Sequence, residues 1–400
     1  MLFEILLALF IGILAGTFTG VTPGIHVNLI CAMLIASSVF LLNFFTLHAL
    51  AVFIIAMSVT HSFISVLPSI FLGAPDSATA LGVLPGHRYL LHGNGLMAAK
   101  LTIIGSMGSL ILSIIMYPLL YFITFNVYDL IKGYVGYILI IITIFMIFRD
   151  RLKLWSLLIF LISGALGIIV LSWPNLKNPL FPLLSGLFGV STLLISIKDK
   201  NKLPEQKILN RTELDKKITI KALLSGQFSG FLTAVLPGIG SGTAAILSLQ
   251  ITRKLGDSGF MILIGSISTA NFILSLITLQ ALNKARNGSI VAIQSLLNNV
   301  TLNEVFLFIL AALISGSIAS IFTLKIGKVF SKFITKINYK VLIITIVSLI
   351  FILAYILSGY LGIIILIVST FIGIIPATVK AARVHSMGCL ILPVIFYFIL

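Results

Sequence analysis

Two fourteen-residue stretches, 214 residues apart, carry the groups best suited to hold an anion. The first runs Gly12-Ile-Leu-Ala-Gly16-Thr-Phe-Thr-Gly20-Val-Thr-Pro23-Gly24-Ile25, and the second Gly226-Gln-Phe-Ser-Gly230-Phe-Leu-Thr-Ala234-Val-Leu-Pro237-Gly238-Ile239; seven of the fourteen positions are identical. Proline has no N–H and clashes with the preceding turn, so a helix stops or kinks at Pro23 and Pro237. Gly24 and Gly238 then free the backbone to turn. A helix restarting after the break presents bare N–H groups and a positive dipole end. His26 and Asn28 follow the first break; Gly240, Ser241, Gly242 and Thr243 follow the second. Such short polar groups beside exposed amides suit a carboxylate or a phosphate. A proline kink with polar caps and no ligand is the plainer alternative, and it explains one break better than two. Paired broken helices in corresponding halves of a membrane chain mark a midplane binding site.

A second polar stretch, residues 73–95, holds five glycines and two prolines between long apolar runs. It contains Asp76, Ser77, Thr79, His87 and Arg88. Read functionally, it is a re-entrant loop along the substrate path. Ser77, Thr79 and Arg88 would contact substrate, with Arg88 able to fork onto a carboxylate, and Asp76 would take part in ion coupling. Read otherwise, it is a solvated loop whose arginine snorkels. The corresponding place in the second half, Gln280–Gly288, includes Lys284 and Arg286 and fits a membrane surface slightly better than a site. Ser-Val-Thr-His-Ser-Phe-Ile (58–64) resembles Ser-Ile-Ser-Thr-Ala-Asn-Phe-Ile (266–273), which sets Ser62 opposite Asn271. Both are candidates for coupling a Na+ or H+ ion, or simply for an interhelical hydrogen bond. His48, His61 and His385 read as packed, hydrogen-bonded histidines. The Gly12/Gly16/Gly20 and Gly226/Gly230/Ala234 rows read as close helix contacts.

The elements that must position these groups are apolar helices. The chain of 400 residues is 59% hydrophobic and 9% charged, with mean hydropathy +1.21. From Ile5 to Pro75 it has no Lys, Arg, Asp or Glu, whereas a spanning helix needs only about 20 apolar residues. Apolar runs fall at 2–22, 27–45, 47–72, 97–125, 131–148, 154–172 and 178–197, then at 219–237, 241–253, 258–283, 302–324, 341–358, 360–377 and 384–400. The expectation is an all-α polytopic membrane protein with about 10–12 transmembrane segments. Repeats at 1–197 and 219–400 flank a basic linker, 198–218. Gly-Ile-Ile-Val-Leu (167–171) resembles Gly-Ile-Ile-Ile-Leu (362–366) and extends the duplication. The net charge of +16 sits in loops between apolar runs, as positive-inside topology requires. It does not imply nucleic acid, and the basic loops, linker 198–218 included, are expected to be cytoplasmic. Arg149 follows segment 131–148, but the lysines from Lys325 to Lys340 precede 341–358. Equivalent helices would then cross in opposite directions, making the repeats inverted.

The chain lacks HExxH, CxxC and the Walker lysine pattern, so neither a hydrolase, a metal site nor ATP hydrolysis is expected. No cofactor is expected. Cys31 and Cys389, both in apolar segments, argue against a disulfide framework.

Four segments together resemble the large membrane subunit of tripartite tricarboxylate transporters, the TctA-like permease family. They are 16–28 (Gly-Thr-Phe-Thr-Gly-Val-Thr-Pro-Gly-Ile-His-Val-Asn), 68–86 (Pro-Ser-Ile-Phe-Leu-Gly-Ala-Pro-Asp-Ser-Ala-Thr-Ala-Leu-Gly-Val-Leu-Pro-Gly), 230–242 (Gly-Phe-Leu-Thr-Ala-Val-Leu-Pro-Gly-Ile-Gly-Ser-Gly) and 385–394 (His-Ser-Met-Gly-Cys-Leu-Ile-Leu-Pro-Val). In length the chain is similar to the compact archaeal branch. The resemblance implies an ion-gradient-driven permease for organic carboxylates. Its partners would be a small membrane subunit and an extracytoplasmic binding protein. Two other readings stay open: a carrier of polyprenyl phosphate or another anionic lipid, and a membrane-embedded enzyme or non-transporting assembly subunit.

Overall fold

The computed structural model describes residues 2–23, 27–73, 83–176, 178–196, 204–208, 214–235, 244–245, 248, 252, 255–285, 287–334 and 339–399. Among them there is no strand. Among the described residues, eight helices are long and apolar enough to cross a membrane. Apolar helices of 10–17 residues lie at Val135–Arg149, Leu180–Ile195, Gly288–Leu297 and Arg383–Ile399. The longest helix, Tyr339–Val379, is broken at Gly359 (φ 66°, ψ −161°). The chain folds back there, so that Gly362 lies against the Ala354 carbonyl. The two pieces match the separate segments expected at 341–358 and 360–377.

In chain order the elements are α1 (Leu2–Val21), α2 (Val27–Ala36), α3 (Ser38–Leu41), α4 (Leu47–Ile64, continued by a π-turn at Pro68–Leu72), α5 (Val83–Leu91), α6 (Gly95–Ile131), α7 (Val135–Arg149) and α8 (Lys153–Leu171). They continue with α9 (Leu180–Leu184), a π-helix at Ser185–Val190, α10 (Ser191–Ser196), α11 (Lys216–Val235), α12 (Gly256–Leu282), α13 (Gly288–Leu297), α14 (Leu302–Ile334), α15 (Tyr339–Val379) and α16 (Gly388–Ile399). Basic residues from Lys216 on, which look like linker in the sequence, form the first turn of α11. Asp215 caps that turn, accepting from the amides of Lys217 (2.8 Å) and Ile218 (3.2 Å). Upstream, the Gln206 carbonyl accepts from the Gly95 amide (3.0 Å), and its amide donates to the Leu90 carbonyl (3.0 Å). That pair pins residues 204–208 to the turn between α5 and α6.

The glycine rows do seat helices against one another. A Cβ on Gly12 or Gly16 would lie 2.6 Å from the Phe53 carbonyl oxygen or 2.4 Å from that of Met57. One on Gly226 or Gly230 would lie 2.3 Å from Ser266 Oγ or 2.3 Å from Ala270 Cβ. Only glycine permits this approach, in which close packing and interhelical polar contacts replace hydrophobic drive. α1 thus lies along α4, and α11 along α12. Across the halves, Gly105 on α6 seats against Ile262 on α12, and Gly316 on α14 against Val59 and Phe63 on α4. Gln227 on α11 accepts hydrogen bonds from Ser109 (2.9 Å) and Ser113 (3.0 Å) on α6.

These contacts also fix directions. His48 pairs with Glu304 at one end of the α4–α14 seam, and Gly327 meets Leu67 near the other, so α4 and α14 run together. Gly105 meets Ile262 and Tyr117 bonds Gln280, so α6 and α12 run together. Gly316 meets Leu110 but Gly327 meets Leu96, so α6 and α14 run opposite ways. It follows that α4 and α12 are oppositely directed.

Two sequence alignments between the halves slip. Gly12 and Gly16 reach Phe53 and Met57, while Gly226 and Gly230 reach Leu263 and Ile267. At that spacing Asn271 matches His61, not Ser62. The left-handed caps agree, since Gly73 (φ 62°) and Asn283 (φ 50°) fall at the same interval. The compared strings differ by one residue, and aligning their Phe-Ile ends shifts the helix face. Likewise the counterpart of Gly167, whose Cβ would lie 2.0 Å from the Cys389 carbonyl oxygen, is not Gly362. It is Gly373, whose Cβ would lie 2.2 Å from that of Leu187.

Candidate functional site

α4 and α12 are the most buried spans, with 89% and 83% of their apolar windows inside the protein. Along α12 between Gly259 and Leu279, only Ser268 and Asn271 are not buried. They lie three residues apart, on one face. Along α4 between Ala49 and Phe71 only Phe53 and Ser62 are open. Polar side chains within a membrane span face the interior of the bundle rather than lipid. Ser62 donates to the Val59 carbonyl (2.8 Å), and Asn271 Oδ1 accepts from Ser275 (3.3 Å).

At the matching register each half carries a buried threonine four residues before its Pro-Gly pair. Thr19 donates to the Gly16 carbonyl (3.2 Å), and its oxygen lies 3.0 Å from His61 Nδ1. Thr233 likewise donates to the Gly230 carbonyl (2.8 Å), and a Cβ on Gly230 would sit 3.0 Å from the Asn271 amide nitrogen.

Beyond the first break, α2 packs on α13. Asn28 Oδ1 lies where a Cβ on Gly288 would come within 2.4 Å. Ser58 on α4 donates to Ser289 (2.8 Å), and Cys31 also bonds Ser289. Asn287 caps this helix through the Ser289 amide (3.0 Å). Asn28, in the first turn of α2, therefore lies beside the positive end of a helix from the other half. The Ser268 hydroxyl, at the matching position to Ser58, is buried with no partner among the described residues.

Pro23 ends α1 in a turn and is half-buried. Arg88 lies on the exposed side of α5, with Nη1 3.3 Å from Asp257 Oδ2 at the start of α12. Pro85, Gly86 and His87 bury the other side against the π-turn. Residues 83–91 are thus a short packed helix rather than loop. Gly24, His26, Asp76, Ser77, Thr79, Pro237, Gly238, Gly240, Ser241, Gly242 and Thr243 lie outside the described residues. Of the sequence candidates, the structure places Ser62 and Asn271 on the buried central helices, Asn28 at an exposed position beside α13 and Arg88 on the exposed side of α5. Sequence reasoning missed Thr19, Ser58, His61, Thr233, Ser268 and Ser289. The Asn287-Gly-Ser289 start of an apolar run was a readable cap, but the others show only once the helices are set in register.

The family model described as Tripartite tricarboxylate transporter TctA family matches residues 6–388. The chain belongs to this family. It is therefore a multi-pass membrane protein and the membrane component of a transporter, which points away from an enzyme. An uncharacterized protein of Methanocaldococcus jannaschii is 33% identical over 98% of this chain and 99% of its own length. No solved structure matches the chain.

Proposed function

We propose that this TctA-family chain is an ion-gradient-driven secondary transporter for an organic carboxylate anion. Its site lies near the bilayer midplane, between Pro23–Asn28, Pro237–Thr243 and the stretch 73–95. Repeats 1–197 and 219–400 are inverted, and the linker 198–218 is cytoplasmic. Ser62, Ser268, Asn271 and Asp76 are the oxygen donors nearest in kind to a Na+ or H+ coupling role. A small membrane subunit and an extracytoplasmic binding protein complete the assembly.

One observation carries this reading. His61 and Asn271 occupy the same packing register on oppositely directed helices, where Thr19 on α1 meets His61 and Gly230 on α11 meets Asn271, each in the helix that leads to a Pro-Gly pair. Inverted repeats with discontinuous helices bind substrate at such a place, and alternating access follows by rocking one part against the other.

The test is uptake into proteoliposomes. Labelled citrate or succinate should accumulate under a sodium or proton gradient. Pro237→Ala with Gly238→Ala should abolish uptake while the protein remains folded in the membrane. Wild-type uptake by that variant would remove the broken-helix site. Lipid flipping without solute uptake would favour the anionic-lipid carrier. Product formation without translocation would favour the enzyme.

A further inference from the structure

Away from the central helices, three elements meet at a charged corner. They are the turn between α7 and α8, the segment joining α15 to α16, and α10. His385 is 1% exposed and its Nε2 lies 2.8 Å from Asp150 Oδ2. Asp150 also accepts from the amides of Leu152 (3.0 Å) and Ala382 (3.4 Å). Burial pushes its carboxyl up, but these hydrogen bonds outweigh burial and hold it below the usual carboxylate range. The carboxylate of the corner is thus already engaged.

Arg383 is not. It is half-buried, and among the described residues its one partner is the Thr192 hydroxyl. Thr192 in turn donates to the Phe188 carbonyl, within the π-helix Ser185–Val190. A guanidinium has five N–H donors in a planar fork that matches an oxyanion. Burying that charge without a counter-charge is costly. The other cations here are turned outward: Arg149 lies over the Phe145 ring (5.9 Å) and Lys153 over Phe148 (5.8 Å). Arg151 and Lys380 are exposed. Five basic residues therefore surround one satisfied carboxylate. Two more groups of the same turn, His385 Nδ1 and the Ser386 hydroxyl, are buried with no partner among the described residues.

We propose that this corner is a second oxyanion site, built by elements other than the Pro-Gly breaks, in which the Arg383 guanidinium grips a carboxylate or a phosphate. Its place at the end of the bundle suits a docking step for a soluble anion or a seat for an anionic lipid headgroup. The chemistry is the same in both, and the site does not depend on the transport reading.

The direct test uses wild-type protein. Phenylglyoxal modification of Arg383, read by mass spectrometry of its peptide, should slow roughly tenfold in saturating oxyanion. Modification of exposed Arg151 should not change. Protection by citrate or inorganic phosphate in lipid-free detergent assigns a soluble anion. Protection only in nanodiscs containing phosphatidylglycerol, and not phosphatidylcholine, assigns a headgroup. Equal rates under all of these conditions would overturn the site. Arg383→Lys keeps the charge but loses the fork, and should weaken the protecting anion about tenfold or more. Unchanged affinity in that variant would overturn the role given to Arg383.

Discussion

The bundle containing α8 and α16 and the one containing α15 and the π-helix are packed alike and equipped differently. In the first, Gly388 seats against Phe160 and Ser163, and Gly167 against Cys389. In the second, Gly186 seats against Leu366 and Ser369, and Gly373 against Leu187. Ser163 reaches the His385 carbonyl (3.3 Å) as Ser369 reaches that of Pro182 (3.2 Å). Yet the first ends in Arg383, His385 and Asp150, while the second ends in Phe181 and Pro182, with Ser358 bonding the Asn178 carbonyl (3.3 Å). The central helices repeat the lesson, with His61 in one half where Asn271 stands in the other. Shared packing is set by small residues at fixed intervals, because a Cβ admits no compromise. Chemistry sits on positions that packing leaves open, so it can differ between the halves.

The largest expected effect attacks the packing that the two bundles share. Gly167→Leu and Gly373→Leu should each abolish accumulation of monodisperse protein on fluorescence-detected size exclusion, since even a Cβ would lie 2.0 Å or 2.2 Å from a carbonyl oxygen. If one site tolerates leucine, the bundles are not packed alike.

Next in size are the matched central residues. We predict that His61→Ala and Asn271→Ala each cut carboxylate uptake by about tenfold or more, since each removes the hydrogen-bonding side chain at the matched position. His61→Asn, which makes the halves alike, should keep more activity than His61→Ala. Equal rates in all three would leave the matched positions structural.

Smaller is the acid response of the charged corner. Asp150 has its pKa depressed in the folded state, so its contribution is present above the ordinary carboxylate range and is lost as pH falls through the folded value. Asp150→Asn should therefore lower the melting temperature near neutrality by on the order of 1–3 °C, with the gap closing on acidification. A gap that widened towards low pH would contradict the sign.

The smallest effect belongs to Arg88 and Asp257, whose side chains are 52% and 41% exposed. Breaking that pair should cost less than about 1 kcal/mol. If Arg88 also meets substrate, Arg88→Gln should raise the uptake KM where Asp257→Asn does not. Matching KM values would confine Arg88 to the surface pair.

Much was legible in the residues alone. The absence of charge from Ile5 to Pro75 already required a membrane. The glycine rows announced close helix contacts, and the lone histidines proved to be bonded, His48 to Glu304, His61 to Thr19 and His385 to Asp150. The division of residues 339–379 at Gly359 was also visible as two apolar runs. The helical register between the halves was not. Strings of Ser, Ile and Phe align almost equally well one residue apart, and one residue turns a helix face by about 100°. Only the glycine seats choose between the two, which is why Ser62 stood out in the sequence and His61 in the structure.

The order of residues, by itself, determined the solvent of this protein, the rough extent of its long apolar helices, and its family. It could do so because hydropathy and backbone-breaking residues act locally. Tertiary structure decided which polar side chains share a space, which helices run opposite ways, and that Arg383 faces no carboxylate among the described residues. Those facts depend on contacts between segments some 200 residues apart, such as Arg383 and Thr192, and no local pattern records them.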